Sequence, residues 1–336
     1  MNQLPRTLVI HHRSGIGDLI WHIPYLRAIA ARSEGGQVHV MARPSCKAGD
    51  VLAAEPCVAG IIEFDRKPRK GEQRSGRHDR LGAQLALAAS LRAMRFDRVY
   101  IFSNRVRYSL LSLLAGIPVR AGFGFSWTER LFLNEPPFIE RHRGPGNWVY
   151  PEATQFAMAH GFTDRPLTPR MSVLPEFVQA AEADLSRLPR TRYAFAIGTS
   201  EPRKDWGVDN FARLADQLIH MDIGVVLLGG PGESMAAQRM VDQLPAAARD
   251  QVLVCTQASV QRSAAVLRSC HFCIGNDTGA LNMAVANGIP ALGLFGSTPP
   301  LAHDPMLHAL TGQGMSAIQV QDVTHRLLEL NAPGLR

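Results

Sequence analysis

Short apolar runs alternate with stretches of helical periodicity along the first half of the 336-residue chain. Apolar runs rich in β-branched residues predict strands, and apolar positions spaced three or four apart predict helices. The predicted strands are 7–12, 38–42, 61–65 and 98–102, and the predicted helices are 18–32 and 81–95. Strands that alternate with helices usually pair in parallel, so this half predicts a parallel sheet covered by helices.

The second half of the chain repeats the same pattern. Its predicted strands are 193–197, 224–228, 252–255, 272–275 and 291–295, and its predicted helices are 209–220, 234–244, 260–268 and 280–286. The whole chain therefore predicts an α/β protein with two Rossmann-like, doubly wound domains that face a central cleft. Ligands of such sheets bind beyond the carboxyl ends of the strands, so we expect the site in that cleft.

The domain boundaries follow from these repeats and from a proline-bearing stretch, 163–175, between them. We predict a first domain over 1–165, a linker over 166–190 and a second domain over 191–315. The last segment, 316–336, contains a helical pattern that we expect to pack back across the cleft.

Composition bears on the cellular compartment of the protein and on the charge of its partners. The net charge of +7 favours an anionic partner, such as a phosphorylated glycan, a phospholipid surface or nucleic acid. The five cysteines form no disulfide pattern, and the chain has neither a signal-peptide pattern at its start nor an apolar run of about 20 residues. We therefore expect a cytoplasmic protein.

The first motif, 13–24, follows the first predicted strand and opens the first helix. It fails as a dinucleotide fingerprint because Ile20 occupies the third glycine position and no acidic residue follows the second strand, which argues against a nicotinamide cofactor. We predict no cofactor. The glycines place Asp18 in the first helical turn, where the helix dipole favours a carboxylate, so Asp18 is a candidate general base. The alternative is that Asp18 only caps the helix.

The second motif, 198–206, follows the first strand of the second half. Thr199 and Ser200 can donate hydrogen bonds to a diphosphate, and Lys204 can neutralise its charge. The alternative is a solvated loop.

The third motif, 275–282, again joins a strand to a helix. Backbone amides at Thr278 and Gly279 would hold a phosphate at the positive end of that helix. Packing explains the adjacent polar residues between an apolar strand and an apolar helix poorly, so this motif favours a binding site.

A basic segment, 66–78, supplies much of the excess positive charge. Its candidate anion-binding residues are Arg69, Lys70, Arg74 and Arg77, which would contact carboxylates or phosphates of a partner. The alternative is a solvated loop. No recognised nucleic-acid-binding motif accompanies the charge, so we expect no nucleic-acid partner.

Two sequence features bear on metal binding. Cys270 and Cys273 form a single CxxC that runs into a strand, which predicts buried thiols and not metal ligands. The sequence also contains no Asp-x-Asp, and we predict no metal site.

Strand alternation sends His11 and His12 to opposite faces, so at most one of them faces the site.

The order of these motifs resembles glycosyltransferase family 9, the bacterial lipopolysaccharide heptosyltransferases. The matching segments are 15–18, Lys204 with Trp206, 277–279, 288–290 and 294–298. The resemblance implies a GT-B fold and an inverting, metal-independent transfer of heptose, commonly from ADP-heptose.

The resemblance implies that the domain over 1–165 binds the acceptor, a lipid-linked sugar, and that the domain over 191–315 binds the nucleotide sugar. On that basis the candidate acceptor-binding residues are Arg69, Lys70, Arg74 and Arg77.

The resemblance also implies roles for other residues. Asp18 matches the catalytic aspartate, and Glu233 matches the acidic residue near the nucleoside ribose. The residues that match donor contacts are Thr199, Ser200, Lys204, Asp277, Thr278 and Gly279. The sequence departs from the family at Asn282, where the family usually has histidine, and an amide cannot carry the charge of an imidazolium.

The predicted reaction is a single displacement. Asp18 removes a proton from the acceptor hydroxyl, which attacks the anomeric carbon, and the second domain offsets the charge of the departing diphosphate. The expected partners are a nucleotide-sugar donor, an anionic lipid-linked saccharide and the inner-membrane surface. The alternatives are a GT-B sugar-nucleotide epimerase and a catalytically lapsed glycan-binding homologue.

Overall fold

The computed structural model describes residues 3–67, 74–199 and 201–335. The chain divides into two units, Met1–Pro169 and Arg170–Arg336. The division falls inside the stretch predicted as a linker, 166–190. Within the described residues, no helix is both long enough and apolar enough to span a membrane.

The first unit contains one five-stranded parallel sheet. Its strands are β1 (Thr7–His11), β2 (Val38–Ala42), β3 (Val58–Glu63), β4 (Arg98–Phe102) and β5 (Val119–Gly122). Its helices are α1 (Ile16–Ala30), α2 (Ala48–Val51), α3 (Leu81–Ala93), α4 (Val106–Leu114), α5 (Trp127–Arg130) and α6 (Val149–Ala159). The strand order is β3-β2-β1-β4-β5, with β1 in the centre.

Burial explains why the central strands read as continuous apolar runs. Every residue of β1 is buried, because helices cover both faces of a parallel sheet. Helix α1 packs with α6, while α3 packs on α4 and α4 on α5. Side chains such as Leu8, Ile10 and Val99 form the core between the sheet and the second group of helices.

The second unit contains a six-stranded parallel sheet. Its strands are β6 (Arg192–Ala196), β7 (Gly224–Leu228), β8 (Val252–Cys255), β9 (Phe272–Asn276), β10 (Ala291–Phe295) and β11 (Leu307–Thr311). Its helices are α7 (Pro175–Leu185), α8 (Val208–His220), α9 (Ser234–Gln243), α10 (Val260–Arg268), α11 (Gly279–Ala286) and α12 (Val320–Glu329). The strand order is β11-β10-β9-β6-β7-β8.

Two segments outside the predicted domain cores belong to the second unit. Helix α7 lies inside the predicted linker and packs on α10, so that stretch is only in part a connection. Helix α12 packs on α8, and its buried residues Val320, Val323 and Leu327 join the core of the same unit. A path of this segment across a cleft stays a prediction.

The strand order reverses once in each sheet, which makes both units doubly wound, as predicted. The reversal lies between β1 and β4 in the first unit and between β6 and β9 in the second. Loops at such a switch point diverge and leave a crevice at the carboxyl ends of the strands. The motifs 13–24, 198–206 and 275–282 follow β1, β6 and β9, so all three lie at these switch points.

The CxxC is part of the packed interior, as predicted. Cys270 and Cys273 are both buried, and the Cys270 thiol donates to the Val266 carbonyl at 3.4 Å. Burial raises the pKa of Cys270 to about 12 and raises the pKa of Cys273 further. Both thiols therefore stay protonated and unreactive at neutral pH.

Candidate active site

Asp18 is the third residue of helix α1. The capping position is held by Gly15, whose backbone is extended and which has no side chain, so Asp18 is not the N-cap residue. A Cβ added to Gly15 would lie 3.0 Å from Asp18 Oδ2. The carboxylate therefore occupies the space above the turn that the glycine leaves open.

A cavity of about 510 Å³ surrounds Asp18 in the first unit. Its described lining residues come from the loops after four strands and from the starts of α1 and α4: His12, Arg13, Ser14, Gly15, Asp18, Arg43, Phe64, Arg66, Lys67, Arg105, Arg107 and Tyr108. Among these residues Asp18 is the only carboxylate, and six are arginine or lysine. The cavity thus combines one potential base with a strongly positive wall.

Arg66 is a cation of this wall that has buried guanidinium nitrogen atoms. Its Nε and Nη1 atoms are buried, and neither has a hydrogen-bond partner among the described residues. Arg43 fixes the backbone nearby, because its Nη2 donates to the Arg66 carbonyl at 3.0 Å and to the Lys67 carbonyl at 2.6 Å. A buried donor without a partner costs about 1 to 3 kcal/mol, and an anionic ligand group would supply the missing acceptor.

Arg13 is held beside Asp18 by stacking and by charge. Its guanidinium lies over the Trp148 ring, 5.0 Å from the ring centre. Burial lowers the pKa of Arg13, whereas the charges of Asp18 and Glu152 act in the opposite direction. Arg13 remains a cation at any physiological pH, and its charge faces the candidate base.

His12 is the histidine that lines the cavity. Its Nδ1 donates to the Phe102 carbonyl at 2.9 Å, which leaves Nε2 as the acceptor of a neutral ring. Burial, followed by the charge of Arg13, lowers the pKa of His12 to about 4. His11 points the other way and bonds to His22, with 2.9 Å between their Nδ1 atoms. The predicted opposite placement of His11 and His12 is confirmed, although the sequence did not identify His12 as a site residue.

Two arginines of the basic segment have ion-pair partners within the chain. Arg74 Nη1 lies 2.7 Å from Asp65 Oδ2, and Arg77 pairs with Glu63 and Asp65. Both arginines are therefore engaged by carboxylates that precede the basic segment in the chain, at the end of β3 and just after it. Arg69 and Lys70 lie outside the described residues. An acceptor contact by any of these four stays a prediction.

Several cations of the cavity share a sequence feature that sequence reasoning missed: they follow strands of the sheet. Arg43 follows β2, and Arg105 and Arg107 follow β4, just as Arg13 follows β1. In a parallel sheet these positions share one edge. Basic residues shortly after several strands indicate the positive wall, to which Arg66 and Lys67 of the run 66–78 also belong.

In the second unit, Lys204 joins the second and third motifs. Its Nζ lies 2.9 Å from Asp277 Oδ2 and 3.1 Å from Glu201 Oε1. Thr298 Oγ1 donates to the same Asp277 oxygen at 3.1 Å, which brings the segment after β10 to this point. Burial lowers the pKa of Lys204, but the bonds to Asp277 and Glu201 outweigh it and raise that pKa above its usual value. Lys204 is therefore a fixed ammonium.

Asn276 holds this arrangement in place, although the sequence did not single out its role. The side chain is fully buried at the end of β9. Its Oδ1 accepts from the Trp206 amide at 3.1 Å, and its Nδ2 donates to the Ile197 carbonyl at 3.0 Å. Trp206 is anchored in turn, since its Nε1 donates to the Ile318 carbonyl at 2.7 Å. These bonds fix the loop that carries Lys204.

Thr199 and Thr278 each stabilise the start of a loop or helix. Thr199 Oγ1 accepts from the Glu201 amide at 3.2 Å, and Ser200 between them lies outside the described residues. Thr278 is the N-cap of α11, and its Oγ1 accepts from the Ala280 amide at 3.2 Å. Gly279 is the first residue of that helix. The first amides of α11 therefore lie at the carboxyl edge of the sheet, as a phosphate site requires.

Asn282 lies on α11 and is turned back toward its own helix. It is 5% exposed, and its Nδ2 donates to the Thr278 carbonyl at 3.2 Å. Its Oδ1 is buried and has no hydrogen-bond partner among the described residues. A contact from Asn282 to the donor stays a prediction.

Glu233 is adjacent to the second motif, which the sequence alone did not establish. Its Oε2 accepts from the Gly230 amide at 2.7 Å. A Cβ added to Gly198 would lie 3.3 Å from the Glu233 carboxyl carbon. The carboxylate therefore lies next to the end of β6, beside Thr199.

His303 is a further buried group near this site that the sequence did not indicate. Burial lowers its pKa to about 4, although the charges of Asp304 and Asp277 raise it. The Arg170 guanidinium pairs with Asp304 beside it. His303 is thus a neutral imidazole in the electrostatic field of the Lys204 and Asp277 pair at neutral pH.

This fold and this site define a glycosyltransferase of the GT-B class. The chain belongs to glycosyltransferase family 9 (heptosyltransferase), whose family model matches residues 84–326. It is 25% identical over 323 residues to lipopolysaccharide heptosyltransferase 2 of Escherichia coli K12. The alignment covers 89% of this chain and 87% of that protein.

Solved structures show the same fold. The structure of E. coli ADP-heptose lps heptosyltransferase II matches with a TM-score of 0.79 and 23% identity, over 98% of each chain. E. coli heptosyltransferase WaaC with ADP-2-deoxy-2-fluoro heptose matches with a TM-score of 0.73 and 20% identity, over 97% of this chain and 100% of that one. The predicted family and fold class are confirmed: the chain is a glycosyltransferase of the heptosyltransferase family and has the GT-B fold.

Proposed function

We propose that the chain is an inverting, metal-independent enzyme that moves heptose from ADP-heptose onto an anionic, lipid-linked saccharide such as a lipopolysaccharide core. The observation that carries the proposal is the position of Asp18, the only carboxylate among the described residues of a cavity with six cationic side chains. The E. coli relative that binds an ADP-heptose analogue supports the choice of donor.

In this mechanism Asp18 is the general base. Its carboxylate takes the proton of an acceptor hydroxyl while that oxygen forms a bond to the anomeric carbon. The bond from the anomeric carbon to the diphosphate breaks in the same step, and ADP leaves. Because attack comes from the face opposite the leaving group, the anomeric centre is inverted.

The second unit stabilises the leaving ADP. Lys204, Thr199, Ser200 and the amides at Thr278 and Gly279 offset its negative charge, in the role that a metal ion has in other enzymes. Lys204 is already paired with Asp277 and Glu201. Donor binding therefore exchanges one of these contacts for a diphosphate oxygen, and the more exposed Glu201 carboxylate is the one that moves aside.

The positive wall selects an anionic acceptor. Arg66, Arg105 and Arg107 line the cavity with Asp18, so a carboxylate or phosphate on the acceptor would be held next to the attacking hydroxyl. Arg69, Lys70, Arg74 and Arg77 extend this basic surface in the proposal. Since the acceptor is anchored in lipid, the enzyme works as a peripheral protein at the inner face of the inner membrane.

The test is a donor panel combined with Asp18→Asn. Purified protein is incubated with ADP-heptose and with GDP- and UDP-sugars, and dissociation constants and transfer rates are measured. We expect ADP-heptose to bind and to be used, and we expect Asp18→Asn to abolish transfer while donor affinity changes by less than about threefold. The control is Asp164→Asn, which removes an exposed carboxylate of the same unit.

Two outcomes would contradict the proposal. Turnover of Asp18→Asn above about a tenth of the wild-type rate would exclude Asp18 as the base. Binding of a GDP- or UDP-sugar without binding of any ADP-sugar would show that the donor is wrong, even if Asp18 is the base.

A further inference from the structure

Three adjacent helices of the first unit expose large apolar side chains to solvent. Helix α3 exposes Leu81 and Leu85, and its neighbour α4 exposes Leu110, Leu113 and Leu114. A helix on the surface of a globular protein normally has polar residues on its outer side. These two helices instead present leucines outward.

The same surface continues onto α5, which packs on α4. Trp127, the first residue of α5, is 73% exposed, and Leu131, which directly follows the last residue of that helix, is 64% exposed. Residues 127 and 131 are four positions apart, so their side chains lie on one side of this turn. We call the exposed apolar residues of α3, α4 and α5 the apolar face.

The apolar face is a concentration and not a random scatter. The structure describes fourteen exposed large hydrophobic residues, and seven of them belong to this face. On α3, no charged residue occurs between Arg80 and Arg92, and the other exposed positions of that stretch are glycine, alanine or serine. A contiguous apolar surface of this kind usually marks an interaction site.

Charge around the apolar face indicates the partner. Residues 79–135 contain eight arginines and four carboxylates, Asp79, Asp97, Glu129 and Glu135, of which Glu135 pairs with Arg98. Glu129 is buried, and Asp97 accepts the backbone N–H of Arg6 at 2.7 Å. A second copy of the chain would bring the same positive charge, whereas an anionic lipid surface would oppose it with negative charge.

The apolar face also adjoins the cavity of Asp18. Arg105 and Arg107 lie at the start of α4 and line that cavity, and Leu110 follows less than one turn after Arg107. A substrate anchored in a bilayer beneath this face would have its saccharide beside Asp18 while its lipid remains in the membrane.

We propose that the apolar face docks onto an anionic lipid bilayer, with Trp127, Leu131 and the exposed leucines entering the headgroup region. The proposal rests on the proposed function, because that function requires a lipid-linked acceptor. Tryptophan and leucine on one side of a surface helix, with arginines around them, are the residues that peripheral proteins use for this purpose.

The test is vesicle binding by a variant of the apolar face. Leu85→Ser, Leu113→Ser and Trp127→Ser are combined, and sedimentation is measured with vesicles of phosphatidylglycerol and phosphatidylcholine, and with phosphatidylcholine alone. The matched control combines Met221→Ser, Met235→Ser and Leu328→Ser, which are exposed apolar residues of the second unit. All six positions are at the surface, and thermal melting checks that both proteins fold.

We expect wild type and the control to bind the anionic vesicles, more weakly at high salt, and we expect the apolar-face variant to bind at least about tenfold more weakly. Equal vesicle binding by the variant and by wild type would overturn the proposal. So would a dimer in solution that the variant disrupts, because the face would then be a self-interface.

The result is independent of whether the proposed transfer occurs. Vesicle binding is measured without any sugar, and transfer is measured separately with a delipidated, water-soluble acceptor. We expect the apolar-face variant to use that acceptor at the wild-type rate. Vesicle binding without transfer by the wild type would refute the proposed function alone, and transfer without vesicle binding would refute the docking surface alone.

Discussion

Lys204 and Asp277 are separated by 73 positions in the chain, yet Lys204 Nζ lies 2.9 Å from Asp277 Oδ2. Both side chains are 16% exposed, so the pair is only partly screened by water. The pair unites two motifs that follow different strands. It also means that the ammonium predicted to bind a diphosphate is already oriented before the donor arrives.

Lys204→Ala tests this orientation. Loss of a charge-assisted contact to the diphosphate should weaken donor binding by about 1.5 to 3 kcal/mol, measured by calorimetry. The control is Arg203→Ala, because Arg203 is a neighbouring cation that pairs with Glu201 and does not contact Asp277. Unchanged donor affinity in Lys204→Ala would remove Lys204 from the donor site.

Gly15→Ala tests whether the position of the Asp18 carboxylate matters for the reaction. The backbone of Gly15 accepts alanine without strain, but the added Cβ would lie 3.0 Å from Asp18 Oδ2 and displace it. We expect a lower kcat with unchanged donor affinity, since a small misplacement of a catalytic group reduces the rate. Gly49→Ala is the control, because no atom lies within 4 Å of the added Cβ. Equal kcat for both variants would argue against a role for this geometry.

Arg66→Gln and Arg77→Gln compare two candidate anion-binding cations. Arg66 has buried donors without a described partner, whereas Arg77 is paired with Glu63 and Asp65. We expect Arg66→Gln to raise the KM of the acceptor more than Arg77→Gln does, and to reduce its salt dependence. Steady-state kinetics over a range of salt concentrations make the comparison. A larger effect of Arg77→Gln would favour an acceptor contact at Arg77 over one at the cavity wall.

The sequence predicts the repeating α/β pattern well, because buried parallel strands are continuous apolar runs. The strands at Val38–Ala42, Gly224–Leu228 and Ala291–Phe295 coincide with their predicted bounds. The edge strand Leu307–Thr311 was not predicted, since it is only partly buried and its sequence has no strong β-branched pattern. Helix α7 was missed because its start at Pro175 resembles a linker, although proline is favoured at a first helical position.

The candidate site was predictable only where a motif is local. Asp18 and Lys204 belong to motifs that follow β1 and β6, so their position at the carboxyl ends of the strands is evident from the sequence. The cavity wall combines Arg43, Arg66 and Arg105, which are far apart in the chain and adjoin only through strand order. The pairing of Arg74 with Asp65 was likewise not evident, since a run of positive charge gives no indication of which carboxylates approach it.

Asn282→His tests the position at which the chain departs from its family. It distinguishes two cases: a tuned enzyme, which uses ADP-heptose with altered affinity, and an adapted enzyme, which uses another nucleotide sugar. The Asn282 amide donates one neutral hydrogen bond, to the Thr278 carbonyl at the start of α11. An imidazolium near a diphosphate would make a bond about twice as strong. Because an anionic partner raises the pKa of a histidine, this contribution is present at low pH and is lost as the pH rises through that pKa, from a reference value of about 6.5.

If the enzyme is tuned, Asn282→His should bind ADP-heptose more tightly than wild type at pH 6, and the gain should shrink at pH 8 without a change of preferred sugar. If it is adapted, wild type should prefer another nucleotide sugar, and the substitution should impair its use. Donor dissociation constants at both pH values, across ADP-, GDP- and UDP-sugars, distinguish these outcomes. The matched control is Asn287→His, because Asn287 makes the same kind of bond, from Nδ2 to the Met283 carbonyl, at the other end of α11. An equal pH response of the two variants would mean that position 282 does not face the donor.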